Sequence, residues 1–329
     1  MAYYARKIGF YVVALWAAVT LNFLIPRLMP GNPVDTLMAK LAQRGGAVDP
    51  SVRRAYALML GTNDGQSLPQ QYFGYLGNLL HGEFGISVSE FPAKVSDVIM
   101  QSLPWTVVLV GVATVISFVL GVGLGAVVGW KRGSWLDTLV PATTVLAAVP
   151  YFWLALILVA LFASALGWFP LNGGYDVTLT PGFDADFLSS AVYHAALPAL
   201  TIVISSVGGW LLGMRNMMVS AGSEDYVLTA QAKGLRDARV MIRYAARNAV
   251  LPSVAGFAIS LGFVVSGSIV TEQVFSYPGI GSKLLQAVQN NDYALMQGVF
   301  LVITVAVLGA NLVVDLLYGL LDARTRVSH

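Results

Sequence analysis

The chain contains no cysteine. That excludes disulfides, thiolate metal sites and a cysteine nucleophile, and it leaves the compartment open. Charge is scarce too: Asp, Glu, Lys and Arg make up 11% of the 329 residues, against about a quarter in soluble domains. The net charge of +2 gives no electrostatic footprint for a nucleic-acid partner. Histidine occurs three times, as His81, His194 and His329, too widely spaced to suggest a metal site. The motif G-x-x-x-x-G-K-[ST] is missing; the nearest stretch, Gly279-Ile280-Gly281-Ser282-Lys283, has the wrong spacing and continues with Leu284. No phosphate cradle of that kind is therefore encoded. H-E-x-x-H, G-x-S-x-G and paired carboxylates within an apolar segment are also missing, which removes the usual machinery of an intramembrane enzyme.

What the chain does have is apolar length. Hydrophobic residues make up 57% of it, and the mean hydropathy is +0.71. Six apolar segments are long enough to cross a bilayer, near 8–28, 104–129, 138–166, 194–215, 250–271 and 294–321. A crossing helix needs about 20 residues, because each adds about 1.5 Å against a core about 30 Å thick. Backbone polar groups in lipid must pair within the segment, so these are helices; a β-barrel would show short alternating runs instead. The first run resembles a signal peptide, but it is about 18 residues long and no A-x-A site follows, so it reads as a retained span. The expected fold is an all-α membrane protein with six spans. Residues 1–29 form the first helix, 30–103 an outer segment, and 104–329 a five-helix core with a cytoplasmic loop at about 216–250.

Lys and Arg set the orientation. With both termini inside, twelve of the 19 basic residues fall on the cytoplasmic side, six of them between Arg215 and Arg247. The outer loop 167–193 has none and carries Asp176, Asp184 and Asp186. In the segment 27–103, the clusters Pro30-Gly31-Asn32-Pro33, Arg44-Gly45-Gly46 and Gly61-Thr62-Asn63-Asp64-Gly65 punctuate short helical stretches. Tyr72, Tyr75, Leu76 and Leu79 stand at helical spacing, as in a helix lying on the protein or the headgroup surface, or in a lid for an outside partner.

Gly121, Gly125 and Gly129 repeat every four residues on one face, a spacing that lets helix backbones approach closely. Gly208, Gly209 and Gly213 look similar, with Trp210 beside them as an aromatic that could face a pathway. Asp315 is the clearest acid inside a span, with Asn311 one turn away. Intramembrane acids are often functional, which keeps an ion-coupled secondary transporter in view. A structural pairing with Arg215 or Arg324 fits better, because Asp315 lies near a helix end and the halves show no internal repeat. Glu272 reads as interfacial. Tyr277-Pro278-Gly279 reads as a tight outer turn.

The polar island at 224–252 is the outlier. Ser223 is a candidate N-cap, Glu224 and Asp225 stand in the first turn, and Gly234 after Lys233 suits a left-handed C-terminal cap. Asp237 can cap a second helix, along which Arg236, Arg239, Arg243 and Arg247 follow at three or four residues. Such a helix–turn–helix either meets lipid phosphates or receives a soluble partner. The small residues Ala230, Ala232 and Gly234 at the bend favour the partner.

The stretch Asp225-Tyr226-Val227-Leu228-Thr229-Ala230-Gln231-Ala232-Lys233-Gly234-Leu235 resembles the "EAA" loop of ABC importer permeases of the dipeptide/oligopeptide type. Arg247-Asn248-Ala249-Val250-Leu251-Pro252 closes it, with the glycine-to-proline spacing of that family. Thr229-Ala230-Gln231-Ala232 stands where a strict Glu-Ala-Ala would. Further motifs similar to that family's follow in order: Arg27-Leu28-Met29-Pro30-Gly31-Asn32-Pro33, Leu80-His81-Gly82-Glu83-Phe84-Gly85, Met214-Arg215, Val274 through Gly281, and Asn311 and Asp315 with Asp322 and Arg324. The resemblance implies a type I importer permease in the cell membrane of a prokaryote. Its implied partners are a homologous second permease, two cytoplasmic ATPase subunits that hold ATP and Mg, and an outer substrate-binding protein. The coupling element then maps to about 224–239, with Glu224, Asp225, Tyr226, Ala230, Ala232, Lys233, Gly234, Leu235 and Arg239 as its contact residues. Trp210, Tyr277, Pro278 and Gly279 become candidates for the pathway or its outer gate. No catalytic residue, metal or cofactor is implied on this chain. Oligopeptides lead as cargo; the runs Gly208 to Arg215 and Tyr244 to Asn248 look closer to relatives that carry oligosaccharides.

Overall fold

A computed structural model of the chain describes residues 2–43, 50–59, 67–266 and 268–321. The clusters Arg44-Gly45-Gly46 and Gly61 to Gly65, together with Asp322, Arg324, Arg326 and His329, lie outside the described residues. What is described is helical, with one isolated antiparallel bridge, Ile86 to Lys94. In chain order the helices are α1 (Ala2–Leu28), α2 (Pro33–Gln43), α3 (Pro50–Met59), α4 (Leu68–Leu80), α5 (Val95–Trp130), α6 (Leu139–Ala148), α7 (Tyr151–Leu158), α8 (Ala185–Ala221), α9 (Asp225–Ala232), α10 (Asp237–Val240), α11 (Arg247–Ala249), α12 (Leu251–Phe263), α13 (Ile269–Val274), α14 (Ile280–Gln289) and α15 (Tyr293–Leu321).

Among the described residues four helices are long and apolar enough to cross a membrane: Arg6–Leu28, Val95–Trp130, Ala185–Ala221 and Tyr293–Val313. A fifth forms if the pair Asp237–Ala249 and Leu251–Ser266, bent by 51°, counts as one span. The segment expected to cross at 138–166 is not one helix. α6 stops at Ala148, Pro150 takes the N-cap position of α7, and the turns from Val159 to Ala165 are π-helical. Proline lacks the N–H that would continue the ladder and pushes its predecessor out of the helical region, so Val149-Pro150 interrupts a run that hydropathy alone treats as continuous. α5 and α8 run 36 and 37 residues, well past the apolar stretches that mark them.

The described residues gather into two compact units. One is built from Met1–Thr106, Val265–Ile269 and Pro278–Leu312. Its core joins Val95, Val98 and Ile99 at the start of α5 to Ile280 and Leu284 on α14 and Leu295, Met296 and Val299 on α15. Gly298 sits where any Cβ would press on Val95 and Ile99. The segment 27–103 folds onto this frame. Asn32 caps α2 by accepting from Val34 N at 2.9 Å, and Tyr293 Oη donates to Gly31 O at 2.8 Å. α4 rests on α1: Tyr72 Oη pairs with Thr20 Oγ1 at 2.7 Å, Phe23 meets the Tyr72 ring edge-on, and Arg27 Nε donates to Gln71 Oε1 at 3.2 Å.

The second unit comprises Val107–Val264, Val270–Tyr277 and Val313–His329. Its spine is α5 against α8. A Cβ on Gly121 would lie 2.8 Å from the Val207 carbonyl oxygen, one on Gly125 would strike the Leu211 carbonyl oxygen, and one on Gly129 would lie 2.7 Å from the Arg215 carbonyl oxygen. The glycine spacing thus brings the two backbones together over three successive turns, as small residues do in membrane helix pairs. Of the second glycine group only Gly208 is used this way, against Thr143; Gly209 and Gly213 face open space.

Candidate functional site

The island is built at the end of α8 in the second unit. Gly222 closes α8, and Ser223 Oγ donates back to Ser220 O at 2.9 Å. The N-cap of α9 is Glu224, one residue later than the sequence suggests, because Ser223 is engaged with the preceding helix. Glu224 is extended, and its carbonyl accepts from Val227 N and Leu228 N at 2.9 and 3.1 Å. α9 ends as expected on Gly234, whose φ of +73° lies in the left-handed region. Gly234 N donates to Gln231 O at 2.9 Å and Leu235 N to Ala230 O at 3.4 Å, the paired bonds of a Schellman turn. Leu235 folds back toward the same buried cluster that holds Ala230, the hydrophobic contact that accompanies this cap.

The second helix starts at Asp237, with Arg236 as its N-cap. Asp237 does not cap. Its carboxylate accepts instead from Trp130 Nε1, at 3.0 and 2.9 Å, and so ties the helix to the end of α5. Arg132 Nη2 adds a bond to Val219 O at 2.7 Å. From Met241 to Ala246 the helix widens into π turns before α11. A π turn adds a residue, which rotates everything after it by about 100°. Arg236, Arg239 and Arg243 accordingly line one concavity with Gly234, Leu235 and Ile242, and Arg247 is not part of it.

The island has a distinct underside. Val227, Ala230, Val240, Ala245 and Ala249 are buried against Met214, Met218 and Ala221, with Val122, Ala126 and Trp130 of α5 at the edge. The expectation that Ala230, Ala232 and Gly234 all face a partner is corrected here: Ala230 points into the island's own core, while Ala232 and Gly234 are exposed. Glu224, Asp225, Tyr226, Lys233 and Arg239 are exposed, together with the apolar Leu228 (48%) and Ile242 (60%). An apolar underside fixes the island, and a mixed apolar and charged outer face is left without a partner among the described residues.

The other sequence-derived residues lie elsewhere. Trp210 packs edge-on against Phe118, with centroids 5.2 Å apart, and Phe118 stacks on Phe257 at 4.3 Å. Tyr277 is buried, and burial, followed by the nearby Glu272, holds its phenol above the ordinary range. Glu272 itself is fully buried within the protein. Gly279 serves as the N-cap of α14, and Ile280 N donates to Thr106 Oγ1 at 2.8 Å. Asn311 and Asp315 are half-buried, one turn apart on α15. Sequence reasoning missed Asp292. It is fully buried, accepts from Ser87 Oγ at 2.5 Å, Ser89 N at 2.8 Å and Leu295 N at 3.0 Å, and pins the loop after α4 to the start of α15. Its only local signal is a place just before a long apolar run, where an N-cap belongs.

Comparison with known proteins closes the case for the family. Residues 121–327 match the model of the binding-protein-dependent transport system inner membrane component. The chain is 33% identical to the di/tripeptide transport system permease protein DppB of Pseudomonas aeruginosa (strain UCBPP-PA14), covering 99% of both chains. It is 31% identical to the oligopeptide transport system permease protein AppB of Bacillus subtilis (strain 168), covering 98% of both. It is also 31% identical to the dipeptide transport system permease protein DppB of Escherichia coli (strain K12), over 98% of this chain and 97% of that one. This chain is thus a multi-pass membrane transport subunit and belongs to the family of binding-protein-dependent transport system inner membrane components.

Proposed function

We propose that the chain is the permease subunit of an ATP-driven importer and forms half of a translocation pathway for short peptides. The observation that carries this reading is the island: a capped helix–turn–helix with a buried apolar underside and an outer face that no described residue covers. An ATPase subunit docks on residues 224–239, with a homologous second permease completing the pathway and an outer binding protein delivering cargo. Both termini face the cytoplasm of a prokaryotic cell. ATP and Mg are held by the ATPase chains, consistent with the missing phosphate loop. Peptide cargo is drawn from the relatives, whose names specify di/tripeptides, dipeptides and oligopeptides.

The test is uptake into proteoliposomes holding the permease pair and both ATPase subunits, with the binding protein added outside. Labelled di-, tri- and longer peptides should accumulate only with ATP inside. Accumulation of cello-oligosaccharides without peptide uptake would reassign the cargo. Uptake by this chain alone, driven by an ion gradient, would overturn the ATP-driven reading.

A further inference from the structure

The concavity on the outer face of the island has a chemistry of its own. Gly234, Leu235, Arg236, Arg239, Ile242 and Arg243 line it. Leu235 and the exposed Ile242 are its large apolar side chains, and the three arginines stand beside them. Among the described residues none of the three makes an ion pair or a side-chain hydrogen bond. The nearest acid in sequence, Asp237, commits its carboxylate to Trp130 Nε1 and is withdrawn from them. Glu224 and Asp225 sit on α9 and form no salt bridge with them either. Three guanidinium groups beside apolar side chains, with no anion paired to them among the described residues, form a receptor for carboxylates.

Two sources of anion compete: lipid headgroups and a protein. Arg243 and Arg236 precede Pro252 by nine and 16 residues. At about 1.5 Å per residue they lie about 13 and 24 Å along the chain from Pro252, near the start of the apolar half of the bent pair, Leu251–Ser266. The headgroup layer is only about 5–7 Å deep on each side. For a span along the membrane normal, the 51° bend at Val250 shortens these depths by about a third and still leaves Arg236 and Arg239 beyond the headgroups. By the same measure Arg247, five residues before Pro252, falls within the headgroup layer and Arg243 at its edge; Arg247 is outside the concavity.

We infer that Arg236, Arg239 and Arg243 form a carboxylate-binding socket that receives an acidic, partly apolar surface segment of the ATPase subunit. The inference rests on the proposal that an ATPase docks on this island; it adds which face is used and what chemistry the partner presents. Arginine suits the task because its planar fork pairs bidentately with carboxylate, and apolar partner surface seated on Leu235 and Ile242 would exclude water around the pairs.

The test uses the transporter's own ATPase subunit, co-expressed with the permease pair and held in zwitterionic nanodiscs. Retention of the ATPase on the permease should weaken as NaCl rises, since rim charges are screened. The triple variant R236E/R239E/R243E should lose roughly tenfold or more in ATPase affinity at low salt, because like charges face each other. An Arg53→Glu/Arg54→Glu variant serves as the charge control and should bind as wild type. In a second arm, Arg239→Lys treated with carbodiimide should give a zero-length cross-link to an ATPase carboxylate, which holds even if the triple variant folds poorly. Salt-insensitive retention, equal binding by the triple variant and no cross-link would overturn the socket while leaving ATPase docking intact. A defect of the triple variant that appears only in phosphatidylglycerol nanodiscs and not in zwitterionic ones would assign the arginines to lipid and overturn it as well. A wild-type chain that holds no ATPase at any salt would instead remove the functional reading itself.

Discussion

Glycine does two different jobs in this chain, and substitutions separate them. At Gly125 the limit is space. A side chain there meets the Leu211 main chain, so Gly125→Leu should push α5 and α8 apart and destabilise by about 1–3 kcal/mol. Gly213→Ala, facing open space four residues beyond Gly209, should be neutral or stabilise by up to about 1 kcal/mol, because alanine is the better helix former. Thermal unfolding in detergent, followed by tryptophan fluorescence, compares the two; equal midpoints would refute the packing role. At Gly234 the limit is conformation, because a Cβ would touch nothing within 4 Å but φ is +73°. Gly234→Val should therefore insert normally, strain the Schellman turn by about 1–2 kcal/mol, and uncouple ATP hydrolysis from import. Normal transport by this variant would count against the island as the coupling element. Sequence spacing disclosed the first job at once, since small residues four apart mark a helix contact. It grouped Gly208, Gly209 and Gly213 together because it could not see that only Gly208 has Thr143 opposite.

Single long-range bonds decide how the elements are joined. Asp237 looks like a cap in any local window, yet Trp130, 107 residues earlier, takes its carboxylate. Only the folded chain reveals that competition. Trp130→Phe keeps the ring in the apolar edge and removes the donor, so hydrogen exchange in 225–240 should quicken while exchange within α5 and α8 stays slow. No change in the island would show that its underside alone holds it. Asp292 is the corresponding fastener in the first unit. Asp292→Ala leaves the Ser87 hydroxyl and the Leu295 amide without their acceptor in a buried site, a loss of about 2–4 kcal/mol. The variant's melting midpoint should fall well below that of a Glu83→Ala control; a matching midpoint would argue that water replaces the carboxylate. Element ends were the least legible feature. α5 starts at Val95, before its apolar run, because Val95, Val98 and Ile99 have α14 and α15 to pack against.

For the molecule as a whole, the absence of cysteine is an experimental convenience. Introduced thiols report without background, so Ser223→Cys should react with a membrane-impermeant maleimide only in inverted vesicles and Thr178→Cys only in intact cells. The reverse pattern would invert the proposed topology. The helical membrane class and the island's turn were readable because hydropathy and a left-handed glycine are local properties. The break at Val149-Pro150 was hidden by the apolar character of its surroundings, although proline announced it. The glycine ladder has a mechanical consequence of its own. Two rods whose main chains interlock over three turns cannot slide without a side chain climbing over a carbonyl, so this stretch of α5 and α8 behaves as a weld. Bending in this unit is then left to joints that already interrupt or bend its helices, such as Pro150 and the 51° bend at Val250.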